Sequence, residues 1–336
     1  MKLRLAAALL ALPLLTAPAV QADVFEDAVK AYAANDHTAA FARAKEAAEA
    51  GDSRAQLLLG TLYLNGEGTQ RNVAEALKWL EKASDAGEVS ARYALAVVYR
   101  DGVAVPRDLA KARTYLERAP DHTGAQFILA QMLAAGEGGP ANGERARMLF
   151  EEAAKAGHPD AQFSLGAIHA AGLGVPVDEA KAAEWFRKAA EQGQPDAAYN
   201  LGLMALEGQN LPKDSAAAAK WLEIAAKQGL PEAQATLGRL YLAGEGVNQS
   251  DEMALSLFAA AAEQGEPTAH ALLARLYLIG RGVEQDATRA YAHYLFAKRQ
   301  GLDDSEFTEA AGDRITPEIT IAAEKQVEEW MGTAAR

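Results

Sequence analysis

The residues able to do chemistry are thinly spread along this chain. Six histidines, His37, His122, His158, His169, His270 and His293, are the natural general bases and metal ligands. No two of them share a helix at the HExxH spacing that turns both rings to one face. His169 and His293 also stand where other copies of a repeat carry Tyr or Trp, so the histidines are expected to be structural. No serine is followed by lysine three residues on, which removes the acylating Ser-x-x-Lys pattern. The Gly-x-Gly runs at 66–68, 136–138, 172–174, 244–246 and 280–282 superficially resemble phosphate cradles. A dinucleotide fingerprint needs a third glycine and a strand before it, whereas these glycines join two helical patterns. Carboxylates are plentiful but recur at helix caps or on solvated faces. Trp79, Trp185 and Trp221 could stack on sugar rings, yet they share one register between paired helices, where the expected role is to fill core space. No catalytic residue, cofactor or metal ligand is therefore expected.

What must position any site is a repeat. A small residue recurs at Ala55, Ala91, Ala125, Ala161, Ala197, Ala233 and Ala269, at steps of 36 residues with a single step of 34. Five residues on come Gly60, Ala96, Ala130, Gly166, Gly202, Gly238 and Ala274. The second half keeps the same beat at Ala76, Ala112, Ala146, Ala182, Ala218, Ala254 and Ala290. Each unit reads as two amphipathic helices, for example Ala161, Leu165 and Ile168 on the first and Ala182, Trp185 and Ala189 on the second. The small residue lets the neighbouring helix approach, and the aromatic is expected to fill the gap opposite it. Gly51, Gly87, Gly157, Gly193, Gly229, Gly265 and Gly301 mark second-helix ends, and Pro159, Pro195, Pro231 and Pro267 open the next first helices. Asp178, Asp214 and Asp286 are placed as N-caps. The fold class is thus all-α, a right-handed α-solenoid of helix-turn-helix repeats.

The protein is acidic, with formal net charge -13, which leaves nothing to neutralise a phosphate backbone and excludes nucleic-acid binding. Met1-Lys2-Leu3-Arg4, an apolar run from Leu5 to Leu15 and a small-residue exit through Ala22 have the parts of a cleavable signal peptide. Residues 1–22 are expected to be removed after Ala22, or alternatively after Ala19, placing the protein in the periplasm or outside the cell. Cysteine is absent, which excludes disulfides, thiolate metal sites and a lipid anchor on cysteine. No later stretch is apolar enough for stable membrane insertion. The oligomeric state is not encoded in the pattern, and a monomer is compatible with it.

The long Gly-x-Gly loop, the AxxxLG first helix and the KAxxWxxKAA second helix running from Lys181 to Ala190 resemble the Sel-one-like repeats, relatives of the tetratricopeptide repeat. The likeness covers residues 53 to 302; residues 23–52 look like a degenerate half copy and 303–336 like capping helices, with Ile319, Ala323, Val327 and Trp330 on one face of the last. The resemblance implies a binding scaffold rather than an enzyme. Relatives regulate envelope sensor kinases, assemble polysaccharide-export machinery or engage host proteins, and a cysteine-rich branch is described as penicillin-binding or β-lactamase-like. This sequence lacks that branch's cysteines, so a hydrolase is the weakest reading. A protein partner is expected, with an envelope glycan as the alternative.

By tetratricopeptide analogy, partner contacts belong on first-helix positions that line a concave face. Register places there Arg54, Leu57, Thr61, Val97, Ala167, Leu203, Ala235 and Ala271, and above all Tyr93, Arg100, Phe127, Gln131, Phe163, Tyr199, Arg239 and Arg275. Aromatic and arginine side chains are the usual interface anchors. The 34-residue step contains Ala119-Pro120-Asp121-His122-Thr123-Gly124 in place of the usual ending, which should shorten that second helix. It is either a hinge between arcs near 23–119 and 124–302 or drift without consequence.

Overall fold

The computed structural model describes residues 19–102, 105–208 and 213–334, with side chains from 24 to 332. Most of the expected signal peptide lies outside these residues; only the backbone of 19–22 is described, as the first turn of α1. Among the described residues there are eighteen α-helices and no strand. α1 (Ala19–Ala33) and α2 (His37–Glu49) form an opening pair joined by a tight turn with Asn35 at φ 59°. The next pairs are α3 (Ser53–Asn65) with α4 (Val73–Asp85), α5 (Val89–Asp101) with α6 (Leu109–Glu117) and α7 (Thr123–Ala135) with α8 (Gly143–Lys155). They continue as α9 (Pro159–Ala171) with α10 (Glu179–Glu191), α11 (Pro195–Glu207) with α12 (Ser215–Lys227), α13 (Pro231–Ala243) with α14 (Asp251–Glu263) and α15 (Pro267–Ile279) with α16 (Ala287–Arg299). α17 (Ser305–Ala311), a 3-10 turn (Gly312–Arg314) and α18 (Pro317–Ala334) follow the last pair. This is the all-α repeat solenoid expected, with helices packed in consecutive pairs.

The protein divides into two compact units, Met1–Ala161 and Gln162–Arg336, and the boundary falls within α9 rather than at Pro120. Before Pro120, α6 has 9 residues where its counterparts have 13, as two missing residues and a proline require. In the first unit a core of Phe25, Ala44, Ala47, Leu58, Leu59 and Leu62 ties α1, α2 and α3 together. In the second, Phe186, Leu201, Leu222 and Leu237 run through consecutive pairs. α18 lies on α16, with Ala323 and Val327 fully buried against Ala292 and Phe296.

Why these residues stop and start helices is visible copy by copy. Every second helix has an N-cap residue whose side chain accepts the N–H three residues on: Asn72, Asp108, Asn142, Asp178, Asp214, Ser250 and Asp286. Each such cap is worth about 1 kcal/mol. The backbone N–H of the same residue bonds the first-helix carbonyl nine positions back, as Asn72 to Tyr63 at 3.0 Å and Asp286 to Tyr277 at 3.0 Å, closing the interhelix loop. Gly66 ends α3 in the left-handed conformation, φ 70°, and having no Cβ it escapes the cost an L residue would bear there.

One packing expectation is corrected. The tryptophans do not fill the gap opposite the small first-helix residue; the next residue along does. A Cβ built on Gly60 would lie 2.7 Å from Leu80 Cγ, on Gly202 2.7 Å from Leu222 Cγ, and on Gly238 2.5 Å from Phe258 Cε1. Trp185 and Trp221 are only half-buried, and Lys188 sits 4.1 Å over the Trp185 ring. Adjacent helix residues point about 100° apart, so a one-residue difference decides which of them meets the partner helix.

Candidate functional site

Ala167 and Leu203 are half-buried, and the other first-helix positions expected to contact a partner separate into four groups. Leu57, Thr61, Val97, Ala235 and Ala271 are buried, so the analogy that put them on an open face fails for them. Their small or aliphatic side chains are absorbed into packing within their own unit.

The aromatics come next. Tyr93, Phe127, Phe163 and Tyr199 are half-buried. The Tyr93 ring stacks on His122, centroids 4.4 Å apart and planes at 18°, and Phe127 stacks on His158 at 4.7 Å and 23°. These imidazoles have a second task. His122 Nδ1 accepts the Ala125 N–H at 3.1 Å at the start of α7, and His158 Nδ1 accepts the Ala161 N–H at 3.4 Å at the start of α9. An accepting nitrogen must be unprotonated, and burial holds both histidines below their ordinary range. One face of Tyr93 and one of Phe127 therefore serve the joint with the following copy. Phe163 lies 5.7 Å from Phe186 within the second unit.

The arginines differ among themselves. Arg275 donates from Nε and Nη2 to Asp304, both at 2.7 Å, and reaches Glu306 at 2.9 Å. Asp304 also accepts the Phe307 N–H at the start of α17, and the Arg275 guanidinium holds its carboxyl below the usual carboxylate range. The departure of Arg275 from the repeat's habit is thus explained within the molecule: it fastens α17 to α15. Arg54 is likewise held, by Asp52 at 2.8 Å and over the Phe25 ring at 4.4 Å. Arg239 is exposed on α13.

Arg100 and Gln131 form the remaining group, and the structure brings them together. Both line a cavity of about 650 Å³ in the first unit, with Asp101, Arg107, Ile128 and Glu137. Arg100 Nε donates to Asp101 at 2.7 Å, its carbonyl accepts Arg107 Nε at 3.0 Å, and Arg107 lies 3.5 Å from Glu137. The charges are mutually balanced, so the cavity offers donors and acceptors in pairs over an apolar floor. That composition suits a peptide surface better than a free anion.

Several working residues escape a reading of the sequence. Arg71, Arg107, Gln249 and Gln285 each donate to a first-helix carbonyl seven residues back, capping the helix C-terminus from one repeat position. Their shared register was the available signal. Arg281 bonds Asp251 and the Leu242 carbonyl, linking successive copies. His270 and His293, far apart in the sequence, are in contact: their Nδ1 atoms lie 2.9 Å apart. Among the described residues no cluster of three or more His, Asp or Glu could hold a metal, and no helix is long and apolar enough to cross a membrane.

Comparison with known proteins accounts for the repeat. The Sel1 repeat family model matches residues 53–88, 89–119, 123–158, 159–194, 195–230, 231–266 and 267–302. A Sel1 repeat protein from Oxalobacter formigenes is 31% identical, with TM-score 0.64 over 91% of this chain and 98% of its own. A protective antigen present in uropathogenic Escherichia coli strains, which displays an SLR fold, is 26% identical, with TM-score 0.55 over 93% of this chain and 76% of its own. No curated protein matches in sequence.

Proposed function

Because the chain belongs to the Sel1 repeat family, whose repeats form scaffolds for protein–protein interaction, we propose that it is an exported adaptor holding a protein partner at the Arg100–Gln131 cavity. The observation that carries this is the convergence of two residues from successive copies, on α5 and α7, at one open cavity whose ion pairs are internally balanced. Interfaces of this kind gain affinity from buried anchors and specificity from paired polar groups. Tyr93 and Phe127, on the same two helices, contribute what their cap histidines leave uncovered. The signal-peptide character of the first residues supports a location beyond the inner membrane, in the envelope, with the mature protein starting at Asp23.

In-cell crosslinking followed by mass spectrometry tests the reading. Arg100→Ala with Gln131→Ala, in a protein whose circular dichroism is native, is expected to lose the partner that wild type captures. Unchanged capture overturns the site. Capture that survives protease treatment of the envelope extract overturns a protein partner in favour of a glycan. The N-terminal sequence of the protein recovered from the periplasm checks export independently.

A further inference from the structure

The last repeat breaks the family habit twice, and the two exceptions touch. At the position of His270 the other copies carry Gln56, Gln126, Gln162 and Gln234, or Arg92 and Ala198. At the position of His293 they carry Trp79, Tyr115, Leu149, Trp185, Trp221 and Leu257. His270 keeps the framework duty: its Nε2 meets the Ala262 carbonyl at 3.1 Å, as Gln234 Nε2 meets the Ala226 carbonyl at 3.2 Å. A carbonyl only accepts, so Nε2 carries the proton. Burial keeps the ring neutral, with a pKa pushed down to about 4, so His270 Nδ1 is a lone-pair acceptor. His293 Nδ1, 2.9 Å away, must then donate to it. A neutral His293 is left with an unprotonated Nε2.

Both rings line a cavity of about 650 Å³ in the second unit, walled by Leu273, Tyr277, Phe296 and Trp330. This size and lining fall within the range of small-molecule sites, which are mostly apolar with a few polar groups. The walls are flat rings. His293 stacks on Tyr277 at 5.6 Å and 9°, His270 stacks on Phe296 at 3.9 Å and 15°, and Trp330 from α18 lies 4.7 Å from His293. Among the described residues of the lining, the one formal charge is the carboxylate of Glu263, which disfavours an anion. Planar apolar walls ask for an aromatic, and an unprotonated imidazole nitrogen asks for a single donor.

We propose that the cavity beneath α18 binds a small uncharged aromatic molecule bearing one hydrogen-bond donor, which donates to Nε2 of His293. This site does not depend on the partner cavity of the first unit.

Isothermal titration of the full-length protein at pH 7.5 with 2-naphthol, 2-methoxynaphthalene and 2-naphthoate tests it. 2-Naphthol should bind, the ether about tenfold more weakly for want of the donor, and the carboxylate not measurably. His293→Phe should lower 2-naphthol to the affinity of the ether and leave the ether unchanged. Ala259→Phe, on the exposed rim, should abolish binding of both. Equal affinity for 2-naphthol and its ether overturns the role of His293, and binding that survives Ala259→Phe overturns the location. Should His293→Phe not fold, the ether comparison and Ala259→Phe still decide. Absence of 2-naphthol binding at millimolar concentration overturns the proposal.

Discussion

Gly238→Ala sets two opposite effects against each other at a place where the structure decides the sign. Alanine is the better helix former by about 1 kcal/mol, so propensity alone would stabilise α13. Against this, the new Cβ would lie 2.5 Å from Phe258 Cε1, 2.9 Å from Cδ1 and 3.0 Å from Cζ. Carbon atoms in contact prefer about 3.5–4.0 Å, so the pair must open by roughly 1 Å. Phe258 is 0% exposed and its ring is rigid, so the movement falls on the α13–α14 spacing. Overpacking of this sort costs about 1–3 kcal/mol, and a flat ring struck on three atoms belongs at the upper end. The expected outcome is a net loss of about 1–2 kcal/mol, confined to the neighbourhood of α13 and α14. Hydrogen exchange of amides in these two helices, with urea denaturation of the whole protein, measures it. Gly143→Ala at the start of α8 is the control, since nothing lies within 4 Å of its Cβ. A Gly238→Ala protein more stable than wild type would refute the claim that glycine sets the interhelix distance.

Three further outcomes follow from the same geometry. Gly246→Ala should cost about 2–3 kcal/mol, because Gly246 sits at φ 71° and its Cβ would lie 2.2 Å from the Ser215 carbonyl carbon; thermal denaturation checks this. Arg275→Ala should raise exchange in α17 with a cost of about 1 kcal/mol, kept small because the Arg275 side chain is 47% exposed. The third concerns pH. Burial lowers His270 to about 4 and His293 to about 3, the second also through His270 and Arg289, while Glu266 opposes the shift at His270. The unfolded polypeptide binds protons near 6.5 that the folded pair refuses, so stability is full above that pH. It falls as pH drops from 6.5 towards about 4 and levels off below about 3. Urea midpoints between pH 7.5 and 4.5 should decline less steeply for His270→Gln with His293→Phe than for wild type; equal slopes would refute the assignment.

Features that recur from copy to copy were legible in the sequence because each such copy repeats the same local physics. Glycines at second-helix ends, prolines at first-helix starts and aspartates at N-caps act over three or four residues, a distance within which spacing is conformation. What lay further apart was not legible. Periodicity marks a helix face but does not separate Trp79 from Leu80, whose directions differ by about a third of a turn. Nor does it bring His293 to His270, 23 residues away, because that contact depends on the spacing of two helices and on Trp330 of α18. The candidate contacts show the same limit. Arg100 and Gln131 converge, while Arg275 turns to Asp304, 29 residues on in a segment outside the repeat.

The second glycine of the interhelix loop has a consequence for how the molecule is made. Cβ atoms at Gly68, Gly138, Gly246 and Gly282 would strike His37, Leu109, Ser215 and Asp251, each at the opening turn of a helix in the preceding pair. In these four copies the loop docks backwards along the sequence. Dependence therefore has a direction, each of these loops resting on a pair that precedes it in the sequence. An N-terminal truncation that removes one of these pairs is therefore expected to leave the next loop without its footing, whereas a C-terminal truncation leaves the remaining loops docked.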